Sequence, residues 1–299
     1  MQDSDTFQTT AMHDIALRFL FEEADIRGEY ASLDSAYREI LAIHAYAPPV
    51  GRLLGEFLAA TVILSTTLKF EGKLILQVRS AGQVPLLMAE CDHKLNVRGI
   101  ARCAETLTGT TTDTLLTDGQ LAITIDPVVG QRYQGIVTLA ENSLARSLDA
   151  YFEHSEQLKT RVWLAADGER ACGLLLQQLP EQVSPQDEDR ENQWHHVEQL
   201  ASTLRTSELT GDDGLTLLHK LFHQNPMRVF EPRALRFGCS CSRERTLGAL
   251  STLPTRELEA LLVEMGVITM DCEFCNSQYQ FTRDDLASAL GWEKSKTLH

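Results

Sequence analysis

Six segments between residues 26 and 180 carry the apolar patterns typical of β-strands. They are rich in β-branched residues and either alternate apolar with polar positions or run continuously apolar. The segments are Lys73–Arg79, Leu95–Ala101, Leu121–Ile125, Tyr133–Leu139, Val162–Ala165 and Gly173–Leu176. Between the last two, Asp167-Gly168 predicts a hairpin turn, because glycine readily adopts the positive φ that such turns need.

Three longer segments of the same region show helical periodicity. They cover Leu33–Ala45, Val50–Leu68 and Ser143–Leu158, and in each the apolar residues recur every three or four positions. Because the strands follow one another and the helices are grouped outside them, the order predicts an α+β fold and not a regular βαβ alternation. We therefore expect an N-terminal domain of mixed sheets and helices over residues 1–180.

The next segment, residues 181–229, differs sharply in composition. Its first 35 residues hold nine acidic residues against two arginines. Two apolar helical faces follow one another within it. They consist of Trp194, Val197, Leu200, Ala201 and Leu204, and of Leu215, Leu218, Leu221 and Phe222. Short helices are marginal in water without an apolar surface to pack on. The pattern predicts a helical linker that is only conditionally folded.

Residues 230–299 form the third predicted part, which alternates short helices and strands. Helices are expected over Arg243–Leu250 and Pro254–Met265, and short strands over Val267–Met270 and Gln278–Phe281. Thr282, followed three positions later by Asp285, is typical of the start of a last helix. So small a region with few large apolar residues builds a marginal core, and such domains usually need a staple such as a metal ion.

Composition narrows the classes of function. The net charge of −15 opposes general binding to phosphate backbones or anionic lipid. The apolar stretch Leu53–Leu68 is interrupted by Glu56 and is shorter than the roughly 20 residues that span a bilayer. The N-terminus lacks the basic and apolar regions of a signal peptide. We expect a soluble cytoplasmic protein that binds neither nucleic acid nor membrane.

In the cytoplasm thiols stay reduced, so the seven cysteines are expected to be free, metal-bound or redox-active. Three of them stand alone and are typical of small core residues. These are Cys91, Cys103 and Cys172. The other four form two close pairs, Cys239 with Cys241 and Cys272 with Cys275.

Two close cysteine pairs on one chain are the usual way to supply four thiolates to a tetrahedral zinc ion. The quartet therefore predicts one bound Zn²⁺. Four thiolates around Zn²⁺ carry a net charge of −2, which nearby arginines would offset. The candidates are Arg233, Arg236, Arg243 and Arg245. Thiolates are also the form of cysteine that oxidants attack, and oxidising both pairs would remove all four ligands.

The quartet alone leaves several functions open. The zinc could be a purely structural staple in a zinc-ribbon interaction module, or in one that binds nucleic acid through the nearby arginines. Cys272-x-x-Cys275 could serve a thiol oxidoreductase, although the βαβ context of that motif is missing. A zinc hydrolase needs an open coordination position, and four thiolates close the site. We therefore expect that the protein is not an enzyme.

Longer runs of sequence carry a family resemblance. The runs are Phe230-Glu-Pro-Arg233, Cys239-Ser-Cys-Ser-Arg-Glu-Arg245, Cys272-Glu-Phe-Cys-Asn276, Gln131-Arg-Tyr-Gln-Gly-Ile-Val137, Ser155-Glu-Gln-Leu158 and Thr160-Arg161. Together they resemble the thirty-three-kilodalton chaperonin family, the redox-regulated heat-shock holdases of bacteria. The match extends over nearly the whole chain. It departs locally at Lys159, where that family usually has proline, and at the turn Ala81–Pro85.

The resemblance implies a chaperone that works without ATP and is inactive while reduced and zinc-bound. Oxidation would form the disulfides Cys239–Cys241 and Cys272–Cys275, eject zinc and unfold the linker. The protein would then bind unfolding polypeptides, often as a homodimer, and prevent their aggregation under oxidative or heat stress. For the client-binding surface we expect apolar residues of the N-terminal domain together with one linker face. That face comprises Trp194, Val197, Leu200 and Leu204.

Overall fold

The computed structural model describes residues 13–69, 71–139, 143–181 and 187–290. The chain divides into two compact units, Met1–Gly238 and Cys239–His299. Both units mix strands and helices, which confirms the predicted α+β class. Residues 1–12, 182–186 and 291–299 of the three predicted parts lie outside the described residues, and the boundaries at 180 and 229 stay a prediction.

Strands and helices are interspersed along the whole described chain. The strands are β1 (Ile15–Phe21), β2 (Ile26–Leu33), β3 (Gly72–Arg79), β4 (Leu86–Asp92), β5 (Asn96–Arg102), β6 (Gln120–Pro127), β7 (Tyr133–Thr138), β8 (Thr160–Ala166), β9 (Ala171–Gln178), β10 (Met227–Val229), β11 (Arg233–Ala234), β12 (Arg236–Phe237), β13 (Ile268–Asp271) and β14 (Gln278–Phe281). The helices are α1 (Ser35–Ile43), α2 (Pro48–Thr67), α3 (Thr112–Leu115), α4 (Leu144–Tyr151), α5 (Asp187–Ser202), α6 (Thr206–Gly211), α7 (Gly214–Phe222), α8 (Arg243–Leu250), α9 (Thr255–Met265) and α10 (Arg283–Leu290). A π-helical turn, Phe152–Glu156, continues α4.

Two sheets build the first unit. The first sheet has the order β10, β1, β2, β9, β8, and β11 also pairs with β1. The second sheet has the order β12, β5, β4, β3, β6, β7. Apart from β12, which runs parallel to β5, neighbouring strands are antiparallel. All six strands expected from the sequence are present, and the hairpin between β8 and β9 turns at Gly168 with φ of 104°.

Helix α2 forms the centre of the core. Its side chains pack on the first sheet and on the second, in one cluster with residues such as Leu175 and Leu76. By length and composition alone this helix is apolar enough to cross a membrane, but 78% of its apolar window is buried inside the protein. Of the three lone cysteines, Cys91 and Cys172 are buried as expected. Cys103 is exposed, because it follows the end of β5 in a surface loop.

The predicted linker forms α5, α6 and α7, and these helices cover one face of the first sheet. Leu17 and Phe19 of β1 lie in one buried cluster with Trp194 of α5 and Phe222 of α7. The ring of Phe222 lies 5.2 Å from that of Phe21 in an edge-to-face arrangement. The acidic linker helices therefore pack on an apolar sheet surface, which supplies the stability that short isolated helices lack in water.

After α7, residues 226–238 form an extended segment, which we call the strap. Its strands β10 and β11 pair with β1, and β12 pairs with β5. The N–H of Phe230 donates to the carbonyl of Arg18 over 2.9 Å, and that of Gly238 donates to the carbonyl of Val97 over 3.1 Å. The strap thus joins the edges of both sheets and ends one residue before Cys239.

At the opposite edge of the first sheet, β8, a partly buried carboxyl group accepts one main-chain hydrogen bond. The N–H of Val162 donates to Asp149 Oδ1 over 2.9 Å, and α4 packs along the strand. Burial raises the pKa of Asp149 to about 7, although the guanidinium of Arg161 and the Val162 N–H oppose the shift. With a pKa near 7, the Asp149 carboxyl is mostly protonated below that pH and accepts the Val162 N–H without burying a full charge.

This raised pKa predicts a pH dependence. An aspartate in an unfolded chain has a pKa near 3.9, so the folded state binds its proton more tightly and the protein loses stability as pH rises from about 4 to 7. In Asp149→Asn, whose Oδ1 still accepts the Val162 N–H, that loss should disappear. We expect the free energy of unfolding of the wild type, relative to the variant, to fall by on the order of 2 to 4 kcal/mol over this range.

The measurement is urea unfolding of both reduced proteins at pH 4.5 and pH 8, followed by tryptophan fluorescence, which includes Trp163 on β8. The difference between the two proteins isolates Asp149 from other buried carboxyls, such as Glu56, whose pKa burial also raises to about 7. Equal pH dependence of wild type and variant would contradict the assignment.

Candidate metal centre

The four paired cysteines lie together in the second unit. Cys239 and Cys241 precede α8, whose first turn is capped by the Ser242 hydroxyl, and Cys272 and Cys275 lie in the turn between β13 and β14. Each of the four is only partly buried. The sequence spacing predicts this quartet, and the structure brings all four sulfurs within 4.8 Å of one another.

The turn between β13 and β14 is tight enough to aim two sulfurs at one point. The carbonyl of Cys272 accepts the N–H of Cys275 at 3.2 Å and that of Asn276 at 2.7 Å. Asn276 has φ of 55°, a left-handed conformation that asparagine tolerates better than most residues. The N–H of Cys272 donates to the carbonyl of Ser277 over 2.9 Å and closes the turn.

The distances between the sulfurs fit a tetrahedral zinc ion. Cys239 Sγ lies 3.7 Å from Cys272 Sγ, and Cys241 Sγ lies 3.4 Å from Cys275 Sγ. Zn–S bonds of about 2.3 Å at tetrahedral angles place neighbouring sulfurs about 3.8 Å apart. A disulfide requires about 2.05 Å, so the structure represents four separate thiols. Four sulfur donors with this spacing can hold zinc with no open coordination position.

Two hydroxyl groups contact sulfurs of the quartet. The Tyr279 hydroxyl donates to Cys241 Sγ over 3.2 Å, and the Ser277 hydroxyl lies 3.2 Å from Cys275 Sγ. Burial raises the pKa of Cys272 to about 12. Burial also acts to raise the pKa of Cys275, but hydrogen bonds with Ser277 and with the sulfurs of Cys241 and Cys239 together lower it to about 7.

The four arginines near the cysteines in sequence divide between the two units. Arg245 donates to the carbonyl of Ser240 over 2.7 Å, and Arg243 forms an ion pair with Asp285 at 2.8 Å, both close to the quartet in the second unit. Arg233 and Arg236 instead bind His93 and Asn96 in the first unit.

The core of the second unit is small. Its fully buried apolar residues in the described part of the chain are Leu250, Leu258, Leu262, Ile268, Phe281 and Leu286. Local capping supports it: Asp285 accepts the N–H of Thr282 at 2.8 Å, as the sequence predicts. A core of this size is marginal, so a bound metal would supply much of the stability of the unit.

The linker residues predicted to bind clients face the first sheet. Trp194 and Val197 are buried, and Leu200 and Leu204 are partly buried in the same cluster. Sequence reasoning used Phe222 only to place a helix. The structure makes it the most deeply buried contact of α7, between Phe19 and Phe21.

A family model described as Hsp33 protein matches residues 14–282, a span that includes all four clustered cysteines. The chain belongs to the Hsp33 family. Hsp33 proteins are heat-shock chaperones, so membership confirms the resemblance found in the sequence and implies that the chain binds client proteins.

Individual relatives agree with the assignment to Hsp33. The chain is 50% identical to a 33 kDa chaperonin of Pseudomonas syringae pv. syringae, over 92% of each protein. It is 52% identical to a 33 kDa chaperonin of Azotobacter vinelandii, over 92% of this chain and 93% of the relative. The crystal structure of the 33 kDa chaperonin of Thermotoga maritima shares the fold, with a TM-score of 0.80 at 20% identity over 94% of this chain and 99% of that one.

Proposed function

We propose that this member of the Hsp33 family is a redox-regulated, ATP-independent holdase. In the reduced state Cys239, Cys241, Cys272 and Cys275 hold one Zn²⁺, and the protein is inactive. The observation that carries the proposal is a cluster of four thiols inside a unit with a six-residue apolar core. A unit that depends on oxidisable ligands for its fold is suited to sense oxidants.

The oxidation step balances with peroxide as the oxidant. Formation of each disulfide removes two electrons from two thiolates. One molecule of hydrogen peroxide accepts these electrons together with two protons and is reduced to two molecules of water. The pairing implied by the family is Cys239–Cys241 and Cys272–Cys275. Two disulfides leave no thiolate to hold the ion. When bound, zinc supplies a cross-link that keeps all four sulfurs ionised and in place.

We propose that unfolding of the second unit releases the strap from β1 and thereby destabilises the docked linker helices. The strap connects α7 directly to Cys239, and its strands β10 and β11 contribute only five residues of pairing to β1. Helices α6 and α7 have only six and nine residues and depend on packing for stability, and the apolar residues of α5 are buried in the same cluster. Their release uncovers Leu17, Phe19 and Phe21, which are buried under the linker in this structure.

The surface uncovered in this way is proposed to bind unfolding proteins, together with the linker face of Trp194, Val197, Leu200 and Leu204. We further propose that the oxidised protein forms a homodimer, acts in the cytoplasm, is not an enzyme, and binds neither nucleic acid nor membranes. The net charge of −15 supports the last of these statements.

The test is light scattering of a heat-denatured client, with reduced zinc-loaded protein compared with hypochlorite-treated protein while a chelating dye records released zinc. We expect suppression of aggregation only after oxidation, without ATP, and about one zinc released per chain. Cys103→Ser, which changes an exposed thiol outside the quartet, should behave like the wild type. Zinc release without suppression would reduce the quartet to a structural staple.

A further inference from the structure

On the outer side of β1, the strap is the hydrogen-bonding partner among residues 13–69, 71–139, 143–181 and 187–290. Without β10 and β11, the first sheet would end at β1. Residues 228 and 230 of the strap face β1, since Leu20 pairs with Arg228 and the N–H of Phe230 donates to the carbonyl of Arg18 over 2.9 Å. An open edge of this kind accepts an added strand.

Most strap residues in β10 and β11 contact β1 through the main chain, whereas Met227 and the neighbouring Leu235 also pack their side chains into the apolar clusters. Arg228, Val229, Arg233 and Ala234 are all exposed, and the side chain of Val229 points away from the core with 38% of its surface accessible. The pairing is also interrupted between β10 and β11 at Glu231-Pro232. Main-chain hydrogen bonds of this type depend little on the sequence of the added segment, because every residue other than proline has the same backbone N–H and C=O groups.

Next to this edge, β1 also presents an apolar row. Its alternate residues Ile15, Leu17, Phe19 and Phe21 are buried, and they point to the face that the linker helices cover. A chain added at the edge would place its own alternate side chains beside this row. At the other edge of the sheet, Asp149 already binds the N–H of Val162, and α4 packs against β8.

We propose that the outer edge of β1 is the place where the activated protein captures an extended segment of an unfolding client, by adding it to the first sheet as a strand. The strap occupies this edge in the inactive state and shows that an extended chain fits there. This inference rests on the proposed redox-regulated function and specifies its client: a segment with free backbone N–H groups, whatever its side chains.

The experiment uses competitor peptides with the sequence of residues 226–235 and the full-length oxidised protein. One peptide is N-methylated at the positions of residues 228 and 230, which face β1. Its matched control is N-methylated at the positions of residues 227 and 229, which face away. The two peptides have the same composition and mass. They differ only in whether the methylated N–H groups lie on the side that faces β1 or on the opposite side.

We expect the control peptide and the unmethylated peptide to inhibit suppression of client aggregation, and the peptide blocked at residues 228 and 230 to need at least about tenfold higher concentration. A photoreactive group at the position of residue 230 should cross-link to residues 14–22. Reduced, zinc-loaded protein should bind none of the peptides, because its own strap occupies the edge.

Equal potency of the two methylated peptides, or no competition by any of them, would overturn the inference while suppression of aggregation upheld the proposed function. Cross-links from the strap of one chain to β1 of another, in place of client or peptide, would also overturn it. An oxidised protein that fails to suppress aggregation would instead refute the proposed function itself.

Discussion

Replacement of Cys272 by serine is expected to unfold residues 239–290 and to abolish tight zinc binding. Structural zinc contributes on the order of 10 to 16 kcal/mol to the folding of small metal-dependent domains, far more than six buried apolar residues can replace. Serine keeps the size of the side chain but supplies a poor ligand. Removing the metal from the wild type with a chelator should have the same effect.

The measurement combines zinc content with hydrogen exchange of the amides in β13, β14 and α9. The exchange should become fast in Cys272→Ser, whereas Cys103→Ser, with the quartet intact, should keep slow exchange and full zinc content. A protein with Cys272→Ser that retained protected amides in β13 and β14 would show that the unit folds without its metal.

Replacement of Phe222 by alanine is expected to release the linker while zinc stays bound. Phe222 is fully buried and packs against Phe19 at 6.2 Å and Phe21 at 5.2 Å between ring centres. Truncation of a buried phenylalanine costs about 3 to 5 kcal/mol. Helices as short as α7 have little stability of their own, so a loss of this size should undock α7 from the sheet.

The expected result is suppression of client aggregation by the reduced variant, with about one zinc per chain still present. Leu215→Ala is the matched control, because Leu215 lies on the same helix but is 55% exposed. An independent variant is Gly214→Val, since even a Cβ at that position would lie 2.6 Å from the Tyr30 ring. If Phe222→Ala stays inactive until oxidised, docking of α7 does not control activity.

Sequence patterns predicted elements well where one face of a segment is buried. Six strands were not predicted: β1, β2 and β4, and the three short strap strands β10, β11 and β12. In β2 seven of eight residues are buried, so no alternation of apolar and polar residues marks it as a strand. The strap strands of two or three residues exist only because β1 and β5 pair with them, and α6 is only six residues long.

The cysteine quartet could be predicted because its spacing along the chain is itself the signal. The contact of the Tyr279 hydroxyl with Cys241 could not be predicted, since it depends on the hairpin that brings β14 beside the start of α8. The contact of Ser277 with Cys275 is local, but it depends on the conformation of the turn. The apolar face of the linker was also visible in the sequence. Its partner surface on β1 was not, because that contact joins residues about 200 positions apart.

The hydrogen bond of Asp149 and the packing of α4 at β8 affect whether further strands can add to a complex of this chaperone with a client. β-Fibrils lengthen because each added strand exposes a new edge with which the next strand can pair. Asp149 and α4 hinder the pairing of a further strand with β8, so a client strand is expected to add at β1. The chaperone would therefore bind an aggregation-prone strand at one edge without offering a second edge for growth of a fibril.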